Sequence, residues 1–317
     1  MPKVNLSSFP VSGLFGVAKP SGPTSMSIVN DLQQLVARSR LFVDEEKLAK
    51  IKGKKLDRRR GKHGRESIKI GQGGTLDPLA DGVLVIGVGK GTKKLNEFLS
   101  CTKEYQTTCL LGCETDSYDG EGARVRLAPW KHVTREQVEA TLSKFTGDIK
   151  QVPPIFSALK MDGKPLYEYA RKGIPLPRPI EERQVTVQSL EIVKWLGKKH
   201  ALEEALKGVT KDSSIKDDPE TSDDIPPTAF VLKMRVSGGT YVRSLVHDLA
   251  HAVGSAGHVV TLTRSRQGRF VLDPAEEGDR RCVPWRVFEK AMEDAGEVDD
   301  DGWTEWERDV IECLEVM

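Results

Sequence analysis

The stretch Gly73-Gly74-Thr75-Leu76-Asp77-Pro78-Leu79-Ala80-Asp81-Gly82 runs directly into the apolar segment Val83-Leu84-Val85-Ile86-Gly87-Val88. The apolar segment reads as a short buried strand. The residues before it form a glycine- and proline-rich loop around one carboxylate, Asp77. An acid on a stiff loop beside a core strand is well placed for chemistry, because a rigid scaffold fixes such a loop. An Asp-Pro step also has a purely structural use, as an Asx turn before proline.

Working outward, Gly13–Lys19 predicts a strand ending at Pro20, and Ile28, Val29, Leu32, Leu35 and Val36 recur at helical spacing. Tyr105–Leu111 favours a strand closed by Gly112. Thr134-Arg135-Glu136-Gln137 is a capping box opening a helix that Gly147 ends. Pro153–Leu159 reads as extended, Lys164–Lys172 as a short helix closed by Gly173, and Val185–Trp195 as a strand. Phe230, Leu232, Met234 and Val236 mark a half-buried strand. A turn at Ser237–Thr240 then feeds a helix from Tyr241 to Val253, capped by Gly254, with Val242, Leu245, Val246, Leu249 and Val253 on its core stripe. Strands with long connections and interspersed helices predict an α+β domain built on one mixed, mainly antiparallel sheet.

Charge divides the chain more sharply than hydropathy does. The net charge of +1 hides a basic run and an acidic tail. Lys47–Lys69 holds 11 Lys/Arg against Asp57 and Glu66, whereas Glu293–Glu315 holds 11 acids against Arg308. The basic insert, residues 44–69, is polar and aperiodic and is expected to be mobile until it meets a partner, and 198–228 reads as a disordered hairpin loop. Residues 1–273 are assigned to the main domain and 274–317 to a short acidic helical extension anchored by Trp285, Trp303, Trp306, Ile311 and Leu314. Cys101, Cys109, Cys113, Cys282 and Cys313 show no CxxC pairing, so neither zinc nor a disulfide framework is expected. No apolar stretch approaches the roughly 18 residues that would span a membrane. The first residues carry no hydrophobic signal core and no Arg-rich amphipathic helix.

Three side chains are singled out as a constellation. Asp77 is the candidate nucleophile. Arg243, in the first turn of the helix after Thr240, suits a nearby carboxylate. Tyr105 offers a ring for stacking and a hydroxyl for proton relay. Three other motifs lead nowhere. Val88–Lys93 lacks the first glycine of a phosphate-binding loop. Asp116–Gly120 lacks calcium-loop spacing and is read as a turn. His247 and His251 have the spacing of a zinc helix, but no third ligand is evident, so they are read as a polar helix face and no metal is assigned.

The motifs together resemble the TruB-type RNA pseudouridine synthases, in order from Gly13 to Phe270. Ala18-Lys19-Pro20-Ser21-Gly22 is similar to the family's first motif, and Gly73–Lys93 to its catalytic GGTLDPLAxG motif. Lys103-Glu104-Tyr105 matches K-x-Y, and Pro153–Lys160 with Leu166–Arg171 matches PPxYSALK…LYEYAR. Gly239–Leu245 matches GTYIR(S/T)L. The resemblance implies the pseudouridine synthase fold, with no cofactor. It makes Asp77 the catalytic aspartate, Tyr105 the residue that stacks on the target uracil, and Arg243 the partner of Asp77. It also places Gln72, Gly73, Lys93, Tyr241, Lys19 and Lys160 at the substrate, and Lys54, Lys55, Arg58, Arg59 and Arg60 on the RNA backbone. The basic insert and the want of room for a full PUA-type module resemble the eukaryotic, fungal-like branch. That branch implies formation of pseudouridine 55 in the tRNA T-arm by a monomer, with some T-loop-like mRNA hairpins as further substrates. It also implies a nuclear and mitochondrial location. Two residues depart from the pattern: Gln72 stands where His is usual, and Phe156 replaces the PPxY tyrosine. The competing reading is a tRNA-folding chaperone without catalysis, for which Asp77 would be dispensable.

Overall fold

The computed structural model describes residues 9–52, 68–202, 226–294 and 296–317. Its strands are β1 (Gly13–Lys19), β2 (Ile70–Gln72), β3 (Asp81–Val88), β4 (Lys103–Leu111), β5 (Cys113–Thr115), β6 (Arg124–Leu127), β7 (Gly147–Gln151), β8 (Lys160–Met161), β9 (Lys164–Pro165), β10 (Arg183–Gly197), β11 (Ala229–Val236), β12 (Gly257–Gln267), β13 (Phe270–Val271), β14 (Arg280–Pro284) and β15 (Glu315–Val316). Its helices are α1 (Ser25–Val36), α2 (Glu45–Lys52), α3 (Leu95–Ser100), α4 (Arg135–Leu142), α5 (Leu166–Arg171), α6 (Val242–Ala252), α7 (Trp285–Glu293) and α8 (Glu305–Cys313). The chain forms two compact units, residues 1–101 with 265–317 and residues 102–264.

In the first unit β1 is the central strand. It runs antiparallel to β3, parallel to β14 and antiparallel to β15. Alternate residues serve opposite cores, as the strand period requires. Phe15, Val17, Leu84 and Ile86 pack with Ile28 and Leu32 of α1, Phe288 of α7 and Trp306 and Val310 of α8. Leu14, Val83 and Val85 pack on the other face with Leu95 and Phe98 of α3, Phe270 and Cys282. Burial on both faces explains why Val83–Val88 is unbroken hydrophobic sequence rather than an alternating pattern.

In the second unit the strand order is β12, β4, β11, β10, β7. β11 pairs antiparallel with both β4 and β10, from Ala229 opposite Leu110 to Val236 opposite Lys103. Helix α4 carries both bonds of the expected capping box at Thr134. Val242, Leu245, Val246 and Leu249 of the expected α6 stripe are buried, whereas Val253 caps the end of the helix and is only partly buried; Gly254 follows at φ +77°. A small hairpin, β5–β6, sets Glu114 opposite Arg126.

Three expectations change. Residues 274–317 are not an appendix. β14 and β15 lie beside β1, and the expected anchors Trp285, Trp306 and Leu314 are part of the core below it. A parallel strand pairing of distant segments leaves no local sequence signal. The first residues of the basic insert form helix α2, with Glu45 and Glu46 in its first turn as a helix dipole favours, and residues 53–67 lie outside the described residues. Pro153–Leu159 bends at residues 155–158 rather than running extended. The flanks of the 198–228 loop do form a hairpin, since Gly197 pairs with Ala229; residues 203–225 lie outside the described residues.

The position of α8 in the core has a measurable consequence. Trp306→Ala should lower the unfolding free energy of the full chain by about 3–5 kcal/mol in urea titrations. An appendix would cost next to nothing.

Candidate active site

The Asp77 loop is held along its whole length. At its entrance the Gly73 N–H donates to the Val85 carbonyl at 2.8 Å. A Cβ on Gly73 would stand 2.8 Å from Phe98 Cβ, and Gly74 has φ +137°, so both positions require glycine. Gln72 closes this corner: its Oε1 accepts from the Gly74 N–H at 2.5 Å and its Nε2 donates to Thr75 Oγ1 at 3.0 Å. Buried Gln267 donates from Nε2 to the Gly73 and Phe98 carbonyls, at 2.7 and 3.1 Å.

The segment Lys19–Ser25 secures the other half. Ser25 Oγ accepts from the Leu76 N–H and donates to the Leu76 carbonyl, both at 2.8 Å. Ser21 Oγ donates to the Leu79 carbonyl at 2.6 Å, and the Gly22 N–H to the Pro78 carbonyl at 2.8 Å. Lys19 is only 2% exposed, and its ammonium meets the carbonyls of Pro20 (2.7 Å), Pro78 (3.2 Å) and Ala80 (2.6 Å). Asp77 itself is half-buried, with its carbonyl accepting from the Ala80 N–H.

A second set of contacts surrounds Arg243, which is 3% exposed. Its Nη1 donates to the Ser117 carbonyl at 2.7 Å and its Nη2 to the Phe156 carbonyl at 2.8 Å. The buried Asp119 carboxylate lies 3.7 Å from Nη1 and also accepts from Ser117 Oγ at 2.6 Å. Gln151 brackets Tyr241, the residue before α6: its Oε1 accepts from the Tyr241 N–H and its Nε2 donates to the Tyr241 carbonyl. Ser244 Oγ reaches the Val152 carbonyl at 2.8 Å. The start of α6, the proline block and the turn at Asp116–Gly120 are thereby one construction. Tyr105 sits on β4 opposite Met234 and is 7% exposed.

The sequence expectations fare unevenly here. Lys19, expected at the substrate, is a loop clamp, because the three donors of its ammonium each meet a backbone carbonyl. Gln72 and Gly73 shape the entrance to the loop that carries Asp77. Phe156 holds Arg243 through its carbonyl, a contact indifferent to the missing tyrosine hydroxyl. Lys93 and Lys160 are exposed, while Lys54, Lys55, Arg58, Arg59 and Arg60 lie outside the described residues. Asp119, Gln151, Ser25 and Gln267 escaped the sequence reading. Asp119 stood in a segment correctly read as a turn, but nothing local connects that turn to Arg243, far along the chain.

The polar helix face of His247 and His251 has a third group beside it that the sequence did not show. Glu114 on β5 reaches both, at 3.1 and 2.8 Å, and the three offer ligand atoms within 4.8 Å of one another. The hydrogen bonds from the two histidines and from Arg126 outweigh burial and hold the Glu114 carboxyl down at about 2. Burial alone would lower His247, but its bonds to Asp248 and Glu114 more than offset this and push it to about 9.

Residues 60–210 match the family model described as TruB family pseudouridylate synthase (N terminal domain). The chain is 35% identical to tRNA pseudouridine synthase 4 of Schizosaccharomyces pombe over 341 residues, covering 87% of this chain and 82% of that protein. It is also 35% identical to tRNA pseudouridine synthase 4 of Saccharomyces cerevisiae, covering 91% and 87% respectively. Among solved structures, one described as a Cbf5-Nop10-Gar1 complex aligns with 96% of this chain and 60% of its own at a TM-score of 0.54. At 19% identity that likeness shows the α+β fold. No helix among the described residues is long and apolar enough to cross a membrane.

Two substitutions test the framework. Lys19→Met leaves buried carbonyls without their donor and should cost about 2–4 kcal/mol of stability, with faster amide exchange across residues 76–80. Arg243→Ala should lower stability by about 3–5 kcal/mol in denaturant, because it strips a buried carboxylate of a cationic neighbour.

Proposed function

The chain belongs to the TruB family of pseudouridylate synthases, and we propose that it isomerises uridine 55 in the T-loop of tRNA with Asp77 as nucleophile. The observation that carries this reading is the Asp77 loop itself. The family's catalytic sequence is present, and its backbone is fixed at both ends by Lys19, Ser25 and Gln267. Pseudouridine formation breaks the N1–C1′ bond, turns the uracil and rejoins it through C5, so a carboxylate held in place is the principal requirement. C5 gives up its proton and N1, freed from C1′, takes one up, so the product is an isomer of the substrate.

Likeness to the family's motifs and each residue's own setting support the remaining roles. Tyr105 stacks on the flipped uracil, its ring held in strand β4. Arg243 pairs with Asp77, its planar guanidinium being suited to orient a carboxylate. Tyr241 and Lys93 support the pocket, and Lys160 assists at the RNA. Unstacking the target uridine costs a few kcal/mol. Stacking and phosphate contacts from Lys54, Lys55, Arg58, Arg59 and Arg60 offset that cost. The substrate is the T-arm of tRNA, extended to mRNA hairpins that imitate the T-loop. The enzyme acts as a monomer in the nucleus and in mitochondria.

Tritium release from a tRNA transcript labelled at uridine C5 tests the reading. Wild type should release label, with pseudouridine mapped to position 55. Asp77→Ala should release none while still shifting tRNA in a gel. Release by the variant, or mapping to another position, would overturn the assignment.

A further inference from the structure

Glu114, His247 and His251 have no part in the proposed isomerisation, yet they form a set of side chains typical of metal ligands. His247 and His251 stand one turn apart on α6, so both imidazoles share a face, with ring centroids 4.3 Å apart. Glu114 on β5 faces them with both oxygens: Oε1 is 3.1 Å from His247 Nε2 and Oε2 is 2.8 Å from His251 Nε2. Ligand atoms around a tetrahedral zinc ion, each about 2.0–2.1 Å from the metal, are about 3.3 Å apart. Here one ligand atom from each of the three residues lies within 4.8 Å of the others, so an ion would draw the set together.

The surroundings have the form of an outer ligand shell. Asp248 Oδ1 accepts from His247 Nδ1 at 2.9 Å, which leaves Nε2 as the nitrogen directed at Glu114. A carboxylate behind a ligating imidazole fixes the ring and raises its basicity. The Tyr118 ring stacks on His247 at 4.0 Å and confines it further. Glu114 and His247 are mostly buried, while the His251 side chain is 40% exposed and leaves a way in.

Arg126 is the cation now in contact with this group. Its Nε donates to Glu114 Oε2 at 3.2 Å, and its Nη2 lies 3.3 Å from His251 Nε2 while also donating to the Ser255 carbonyl. His251 Nε2 has one valence for two neighbours: Glu114 requires its proton and Arg126 its lone pair. A metal ion removes that conflict, because it takes the lone pair of Nε2 and the charge of Glu114 together. The Arg126 side chain is 45% exposed, so it can withdraw into solvent.

We propose that Glu114, His247 and His251 form a site for a zinc-class divalent cation with a fourth position open to water or an exogenous ligand. Two imidazoles with one carboxylate match zinc better than magnesium or calcium, which prefer all-oxygen sets. The ion would tie β5 to α6. The turn after β5 supplies the Ser117 carbonyl and Asp119 carboxylate around Arg243, so the tie braces that framework from outside the isomerising residues.

The test is a titration of the full chain, stripped with chelator, with Co²⁺ followed by Zn²⁺. Wild type should develop the visible bands of four-coordinate Co²⁺ at one equivalent and lose them to Zn²⁺. Glu114→Gln and His251→Gln should each weaken Co²⁺ binding at least about 100-fold, beyond the loss of an outer-shell partner. His251 is exposed enough that its variant keeps the fold, which circular dichroism checks. Absence of the bands in wild type, or their persistence in either variant, overturns the proposal.

Discussion

A buried ammonium sets the geometry on which the Asp77 loop depends. An unpaired charge in a protein interior is prohibitively costly, so Lys19 persists at 2% exposure only with its donors met. Two of the three carbonyls that meet them, Pro78 and Ala80, belong to the loop that carries Asp77. The constraint acts in both directions. The loop must turn its carbonyls inward to solvate the ammonium, and β1 must deliver Lys19 at its last residue, beside Gly82 of β3. The motif Lys19–Gly22 and the motif Gly73–Gly82, far apart in sequence, are two halves of one hydrogen-bonded object.

Arg243 follows the same logic with a different cation. A guanidinium is planar and has five donors, so it can bind several acceptors at once where an ammonium would act as a point charge. Here it joins carbonyls from two separate segments, Ser117 and Phe156, beside the Asp119 carboxylate. The departure at Phe156 is accordingly mild for this contact. What holds Arg243 there is main chain, and any residue with the same backbone path supplies it.

What could be read from the sequence was what repeats locally. The apolar run of β3, the helical stripe of α1 and the Thr134 capping box each carry a short-range pattern with one physical meaning, and each stands where expected. The family motifs added Asp77, Tyr105 and Arg243 as candidates. The cross-chain partners were not legible. Glu114 meets His247 only through the packing of β5 against α6, and Gln267 meets Gly73 only once β12 has delivered it. The last residues, acidic and rich in tryptophan, read as a helical extension with aromatic anchors because their β-strands are short and pair with the far end of the chain. Of the basic run only the start can be compared: it holds helix α2, which opens on Glu45 and Glu46 as a helix dipole favours.

Gln267 shows why the entrance to the Asp77 loop tolerates so little change. Its amide nitrogen spans the carbonyls of Gly73 and Phe98, so it ties the loop to the end of α3. The same Phe98 lies so close to Gly73 that a β-carbon there would collide with it. The tie and the collision are complementary: one sets how near the two segments come, the other requires that nothing larger than hydrogen stand between them. Because Gly73 also donates to Val85 of β3, a shift of α3 passes straight into the strand that leads away from Asp77. The backbone of the Asp77 loop is thus fixed from the α3 side by steric exclusion and from the β1 side by charge solvation.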